Sequence, residues 1–293
     1  MWRQYGLFRE HGAGRFRDLV ERVSRDVAMI RWLDGNANRK GSPNENYARE
    51  LQELFTLGIG NYTETDIREI ARAFTGWGSR HHEFVFNEAF HDTGEKTVHG
   101  RSGAFGGDEV VGILTALPAC RAFVARKLLR FFSHPEPTEA EVADVAKVLE
   151  ATRGDIRSAL FVMFLSDGFL AEARHRALVK SPLEMLVGAL RAVGAESTPL
   201  WVHGSLERMG QILFRPPSVK GWPDGPAWLT SASVVERVKA AHRLAGEHPG
   251  AAAAVVDLAL DGAAPERMRA QIEEATGGER IALVLASPEF QLA

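Results

Sequence analysis

The chain has little cysteine and no long apolar stretch. Cys120 is its only cysteine, which excludes an intramolecular disulfide and any metal site built from several thiolates. It stands in the helical pattern "PACRAFVARKLLRFF", so we expect a buried core thiol. No segment approaches the roughly 18 to 20 apolar residues that cross a bilayer, and the first residues lack the apolar segment of a signal peptide. The sequence leaves the compartment undetermined.

Neither sign of charge dominates. The chain carries 35 basic and 38 acidic residues, for a formal net charge of -3. Without a long run of one sign, broad electrostatic binding of nucleic acid is disfavoured. The hydrophobic share of 45% and the charged share of 25% are those of an ordinary globular protein. We therefore expect a folded protein that binds no nucleic acid.

Helical periodicity dominates, with two irregular interruptions. In "HHEFVFNEAFHDTGEKTVHG", Phe84 and Phe86 alternate before the turn-like "DTGE", which predicts a β-hairpin. The segment "FRPPSVKGWPDGPAWLTS" combines prolines with two tryptophans and predicts a long ordered loop. The expected fold is mostly α: a multi-helix globular bundle with a small β-hairpin insertion at about 82–99 and a long proline and tryptophan loop at about 214–230.

Several helix starts carry a capping signature. Ser42, Pro43 and Glu45 fit an N-cap, a first-turn proline and the N3 acid of a capping box, and Gly58 supplies a stop. They predict a helix over residues 43–57. Further cap pairs are Thr63 with Asp66, Thr138 with Glu141, and Ser181 with Glu184. The run "DIRSALFVMFLS" is apolar nearly all round, which predicts a central buried helix.

The predicted helix 43–57 carries more polar groups than a cap requires. Glu45, Arg49 and Glu53 recur every four residues and can form an ion-pair ladder on an exposed face. Asn46 and Glu50 form a separate stripe nearer the apolar side. If Glu50 is buried, it must be hydrogen-bonded, paired or bound to a cation.

Histidines cluster in the predicted hairpin. His81, His82, His91 and His99 fall within nineteen residues, together with Asp92. Histidine and carboxylate ligands suit a divalent metal, but the spacing matches no established zinc signature. Solvated histidines and a turn-capping Asp92 are the alternative.

The proline and tryptophan loop is a second candidate binding segment. Lys220 beside Trp222 could present a cation and an aromatic face to a ligand. The alternative is that Trp222 and Trp228 only cover the helical core.

A family resemblance rests on blocks spread over nearly the whole chain. They include "SPNENYARELQELFTLG", "FHDTGEKTVHG", "ARKLLRFF", "KSPLEMLVGALRAVGA" and "FRPPSVKGWPDGPAWLTSA". The chain resembles the large bacterial family called domain of unknown function 1800. The matching motif positions are Asn44, Glu45, Asn46, Tyr47, Arg49 and Glu50, then His91, Asp92, Gly94 and Lys96, and finally Lys220, Gly221, Trp222 and Pro223. Gln52 and His99 depart from the pattern, since a more apolar residue is expected at both.

The resemblance also carries expectations about context. It implies one family domain over 1–293 that lacks the family's N-terminal region. Separately, the break "SHPEPT" between two helical segments indicates a subdivision near 134–138. Relatives often look exported and are encoded beside exported sulfatase-like proteins, which suggests such a protein as a partner. The family name records no established activity.

The first functional hypothesis is a binding or scaffold module of an exported system. Helix 43–57, hairpin 82–99 and loop 214–230 would converge on one polar groove. Its ligand contacts would come from Asn44, Glu45, Asn46, Lys220 and Trp222.

The alternative hypothesis is a metal-assisted hydrolase. Glu50, His91 and Asp92 would serve as metal ligands or general base, and Arg49 or Lys96 would stabilise developing negative charge. A third interpretation makes all of these residues structural.

Overall fold

The computed structural model describes residues 1–262 and 264–293, which fall into two compact units. Unit 1 comprises residues 1–132 and 136–170, and unit 2 comprises residues 133–135 and 171–293. The described ranges contain 16 α-helices and only two small antiparallel sheets of two strands each. The mostly α prediction is therefore confirmed. Within these ranges, no helix has the length and apolar character needed to cross a membrane.

Unit 1 combines helices with two short hairpins. Its α-helices are α1 (Trp2–His11), α2 (Phe16–Ser24), α3 (Val27–Trp32), α4 (Asn46–Glu50), α5 (Glu64–Ala73), α6 (Gly107–Thr115), α7 (Pro118–Phe132), α8 (Glu139–Ala151), α9 (Ile156–Phe164) and α10 (Asp167–Leu170). Its strands are β1 (Trp77–Arg80), β2 (Glu83–Phe86), β3 (Lys96–Val98) and β4 (Arg101–Gly103). Leu51, Ile67, Ile70 and Leu114 are fully buried and belong to its hydrophobic core.

Unit 2 has a hydrophobic core of its own. Its α-helices are α11 (Pro182–Ala192), α12 (Leu200–Arg208), α13 (Ser231–Glu247), α14 (Val255–Leu260), α15 (Arg269–Glu274) and α16 (Gly277–Ala286). Met185, Leu186, Leu244 and Ile281 lie in one continuous buried cluster. The loop predicted at 214–230 is irregular up to a short 3-10 helix at Gly225–Trp228.

Two backbone segments pair at the ends of unit 2. The Leu178 and Ala293 backbones exchange two hydrogen bonds of 3.0 and 2.7 Å, and Lys180 N–H donates to Gln291 C=O at 2.9 Å. Val179 and Leu292 form an antiparallel bridge between them. This pairing, referred to below as the terminal clasp, joins residues 178–180 to residues 291–293.

Three of the four predicted caps are confirmed, and the first is wrong. Capping boxes occur at Thr63 with Asp66, Thr138 with Glu141, and Ser181 with Glu184. The helix predicted to begin at Pro43 instead begins at Asn46, because the preceding segment is held by hydrogen bonds to other parts of unit 1. Ser42 lies in a turn, where its N–H donates to Arg39 C=O.

The helix that contains the polar motif changes its winding. After α4 it continues as a π-helix at Leu51–Thr56, and Leu57 N–H donates five residues back to Gln52 C=O at 2.8 Å. Gly58, with φ of 81°, ends it as predicted. π-Helical turns are rare and frequently lie at functional sites.

The region predicted as one hairpin contains parts of two. Strand β2 pairs with β1 and strand β3 pairs with β4. Their turns lie at His81–His82 and His99–Gly100, all with positive φ. The pairing of Phe84 and Phe86 with "KTVHG" across "DTGE" is therefore wrong, because each strand finds its partner outside the predicted segment.

Helix α9 is amphipathic, so the prediction of a central buried helix is wrong. Ile156, Ala159 and Met163 face the core, whereas Phe161 is 65% exposed and Leu165 is 63% exposed. An apolar composition does not by itself bury every face of a helix.

Candidate functional site

Asparagine side chains hold the loop before α4. The buried Asn38 amide donates to Ala71 C=O at 2.9 Å and accepts from Asn44 N–H at 2.9 Å. The Asn44 side chain in turn accepts from Asn46 N–H at 2.9 Å, and the Asn46 side chain donates to Asp34 at 3.4 Å. Two predicted ligand-contact residues, Asn44 and Asn46, thus belong to a chain of hydrogen bonds that fixes the conformation of the loop.

Arg49 connects α4 to α5. Its guanidinium donates to both carboxylate oxygens of Glu64 at 2.9 Å, and to Glu45 at 3.3 Å. These bonds to Glu64 raise the Arg49 pKa. Glu53 accepts from Tyr62 Oη at 2.8 Å instead, so the predicted ladder is present only between Glu45 and Arg49.

Asp92 is held by an arginine of α5. Arg72 Nε and Nη2 donate to its two carboxylate oxygens at 2.9 and 3.3 Å, and Gly94 N–H donates to it at 2.9 Å. The hydrogen bonds from Arg72 lower the pKa of Asp92 to about 2, against the opposing effect of burial. Arg72 also donates to Glu69 at 2.8 Å. A bidentate arginine pair of this kind fixes both orientation and charge.

Lys96 is among the most buried side chains of the protein. It is 1% exposed, and its Nζ donates to the carbonyls of Asp92 at 2.6 Å and Gly94 at 2.9 Å. Burial lowers the pKa of Lys96, while the nearby Asp92 charge opposes this. Its ammonium group thus stabilises the loop that carries Asp92 by hydrogen bonds to two backbone carbonyls.

The histidines take different positions. His91 Nδ1 is 2.8 Å from Thr75 C=O and its ring lies edge-on to Phe86 at 5.2 Å. His81 and His82 are exposed in the turn of the first hairpin. The histidines predicted as one cluster are thus spread over separate turns and loops.

The two departures from the family pattern contact each other. Gln52 is fully buried in the π-helix, and its Oε1 accepts from His99 Nε2 at 3.0 Å. Burial lowers the pKa of His99. The hydrogen bond explains why a polar residue is tolerated at both positions, since each satisfies the other.

The predicted metal ligands do not form a cluster. Within residues 1–262 and 264–293, no three His, Cys, Asp or Glu side chains are arranged to hold a metal ion. Glu50 is half-buried at the end of α4, while Asp92 is already paired with Arg72. The hydrolase hypothesis gains no support from this arrangement.

One exposed surface lies next to His91 and the loop that carries Asp92. The Arg39 guanidinium lies 4.5 Å from the Phe90 ring centroid, and Lys40 N–H donates to Phe90 C=O at 2.7 Å. Phe86 is 47% exposed and Phe90 is 39% exposed. Arg39, Lys40, Phe86 and Phe90 are called the arginine–phenylalanine face below. Sequence reasoning missed Arg39 and Phe90, since their contact joins two segments that are far apart in the chain.

The loop 214–230 lies in unit 2. Trp228 is buried, which agrees with a core-covering role, and Lys220 is exposed. Trp222 is half-buried, and its indole N–H is buried without a hydrogen-bond partner in the described chain. The participation of Lys220 and Trp222 in a ligand site stays a prediction.

The fold and the site define a mostly helical protein whose polar motif residues are largely held in internal contacts. A family model described as "Protein of unknown function (DUF1800)" matches residues 1–292, and the chain belongs to this family. Comparison with curated proteins and with solved structures gave no match.

Proposed function

We propose that this protein is a binding module that contacts a partner through the arginine–phenylalanine face. The observation that carries the proposal is the stacking of Arg39 over Phe90, with the Phe90 and Phe86 rings still exposed to solvent. Arginine and aromatic side chains are the residues most enriched among binding hot spots.

The internal contacts of the polar motif support a binding role over a catalytic one. A general acid or base at neutral pH needs a pKa near that pH, whereas Asp92 has a pKa of about 2. Lys96 and Arg49 are both engaged by internal acceptors. His91 links this part of unit 1 to the face. Its Nδ1 is hydrogen-bonded to Thr75 C=O, and its ring lies against Phe86.

The chemistry of the face indicates the kind of partner. The Arg39 cation over the Phe90 ring, next to the exposed Lys40, favours an acidic segment that carries an apolar or aromatic side chain. The co-encoded, exported sulfatase-like protein suggested by the family resemblance is the first partner to test. We include the loop 214–230, with Lys220 and Trp222, as a further contact segment of the proposed module.

The proposal is tested by photocrosslinking in the producing bacterium. With p-benzoylphenylalanine in place of Phe86, we expect one discrete crosslinked partner, identified by mass spectrometry. The Arg39→Ala change should abolish this crosslink. The matched control places the crosslinker at Tyr5, whose ring also lies near an arginine, Arg9, at 5.8 Å. Identical crosslinks from both positions, or none from position 86, would contradict the proposal.

A further inference from the structure

Unit 1 contains a cleft that shares no lining residue with the arginine–phenylalanine face. It has a volume of about 250 Å³ and lies among α2, α6, α7 and the end of α8. Its apolar lining includes Val124, Leu149 and the thiol of Cys120. Cys120 is buried as the sequence predicted, and burial raises its pKa to about 12.

Three arginines and one carboxylate line the same cleft. Arg121 is already engaged, since it donates to Glu150 and to Ala116 C=O, both at 2.9 Å. Arg17 donates from Nε to Glu21 at 2.7 Å. Arg153 is exposed, and its side chain makes no hydrogen bond or ion pair within residues 1–262 and 264–293. The cleft thus carries an excess of positive charge.

A glycine lets Arg17 lie close to α6. A Cβ atom added to Gly112 would come within 3.2 Å of the Arg17 Cζ and Nη1 atoms. Contacts at that distance are tighter than ordinary van der Waals packing, so a side chain at position 112 would displace the guanidinium. The absence of a side chain there leaves room for Arg17 against α6, in the lining of the cleft.

Backbone hydrogen bonds fix the two sides of the cleft relative to each other. Phe16 N–H donates to Gly154 C=O at 2.8 Å, and Ile156 N–H donates to Gly14 C=O at 3.0 Å. Arg153, with φ of 56°, adopts a left-handed backbone conformation at the turn after α8. Arg17 and Arg153 therefore each extend from a backbone position directly next to this pairing.

We propose that this cleft binds a small organic carboxylate with an apolar tail. The carboxylate would pair with Arg153 and Arg17, and the tail would lie against Val124 and Leu149. One uncompensated cation favours a monoanion, because a second negative charge would face Glu150. A cleft of about 250 Å³ lies below the roughly 300 to 1,000 Å³ of drug-sized ligand pockets, which suits a small ligand.

Titration calorimetry with hexanoate, 1-hexanol and acetate tests the proposal. Hexanoate has the proposed size and charge, 1-hexanol lacks the charge, and acetate lacks the tail. We expect saturable hexanoate binding, with the other two at least tenfold weaker. Comparable binding of 1-hexanol, or no hexanoate binding at millimolar concentrations, would overturn the proposal.

Matched variants locate the binding. Arg153→Asn removes the charge and suits the left-handed backbone, and Arg17→Gln removes a charge from α2. We expect each to weaken hexanoate binding at least tenfold. Arg22→Gln, also on α2 but outside the cleft, should leave it unchanged. Retained affinity in both cleft variants, with folding verified by circular dichroism, would overturn the assignment.

Discussion

The residue Asp92 joins separate parts of unit 1 through one side chain and one carbonyl. Its carboxylate accepts from Arg72 of α5 and from Gly94 N–H, while its carbonyl accepts from Lys96. The side chain is only 17% exposed, so solvent screens these interactions less than at the surface. The conformation of the loop before β3 is therefore stabilised by the charged carboxylate of Asp92.

We expect Asp92→Asn to lower the free energy of unfolding at pH 7 by roughly 2 to 3 kcal/mol. The pKa of about 2, against an ordinary 3.8, corresponds to that amount at about 1.4 kcal/mol per pH unit. Because the folded pKa is depressed, this stability is present above pH 4 and is lost as the pH falls toward 2. Urea denaturation across that range measures the difference between wild type and variant.

The control for this experiment is Asp144→Asn, which breaks an exposed ion pair with Lys147. Exposed pairs contribute little, so its stability should follow the wild-type protein at every pH. A difference between wild type and Asp92→Asn that does not change with pH would contradict the electrostatic explanation.

We expect the Gln52 and His99 side chains to be energetically coupled. Gln52→Leu leaves the half-buried His99 Nε2–H without its acceptor, which costs about 1 kcal/mol, the lower end of the range for a buried group. His99→Gly, chosen because φ is 46° there, should remove that penalty when combined with Gln52→Leu. A double-mutant cycle by urea denaturation should give a coupling energy above about 0.5 kcal/mol; strictly additive effects would show that the bond contributes nothing.

At the scale of elements, the sequence predicts those features that depend on residues close together in the chain. The capping box at Thr63 depends on a partner only three residues away and was recognised directly. The similar signature at Ser42 gave a wrong helix start. The Asn38 side chain, itself bonded to Ala71 C=O, accepts from Asn44 N–H and so keeps the residues before Asn46 out of the helix. Strand pairing and the Arg72 partner of Asp92 also depend on long-range contacts, which periodicity does not reveal.

Helix α9 offers a direct test of its two faces. Met163→Ala should cost about 2 to 5 kcal/mol of unfolding free energy, because the side chain is buried and its removal leaves a cavity. Phe161→Ala, two residues away and 65% exposed, should cost much less. Chemical denaturation of both variants decides the matter, and equal losses would mean that Phe161 is buried in solution.

At the scale of the whole molecule, unit 2 has a hydrophobic core of its own. The buried cluster of unit 2 lies entirely within residues 185–290, and the terminal clasp closes the two ends of that stretch. A continuous core with paired ends is what defines an autonomous domain. The subdivision near 134–138 that the "SHPEPT" break indicated stays a prediction.

We expect residues 171–293, expressed alone, to unfold cooperatively in urea. Circular dichroism should show native helix content and a single transition. Leu244→Ala within this fragment should lower its stability by about 2 to 5 kcal/mol, since Leu244 is fully buried. A broad transition that Leu244→Ala does not shift would mean that the fragment collapses without its native core.

The terminal clasp also determines how unit 2 responds to mechanical force. Residues 178–180 and 291–293 run antiparallel, with Leu178 opposite Ala293. A pull applied at residue 171 and at residue 293 therefore loads the Leu178 and Ala293 pair first and separates the hydrogen bonds one after another. Unzipping needs less force than shearing all bonds together, so unit 2 would open from its ends under tension while its helical core was still packed.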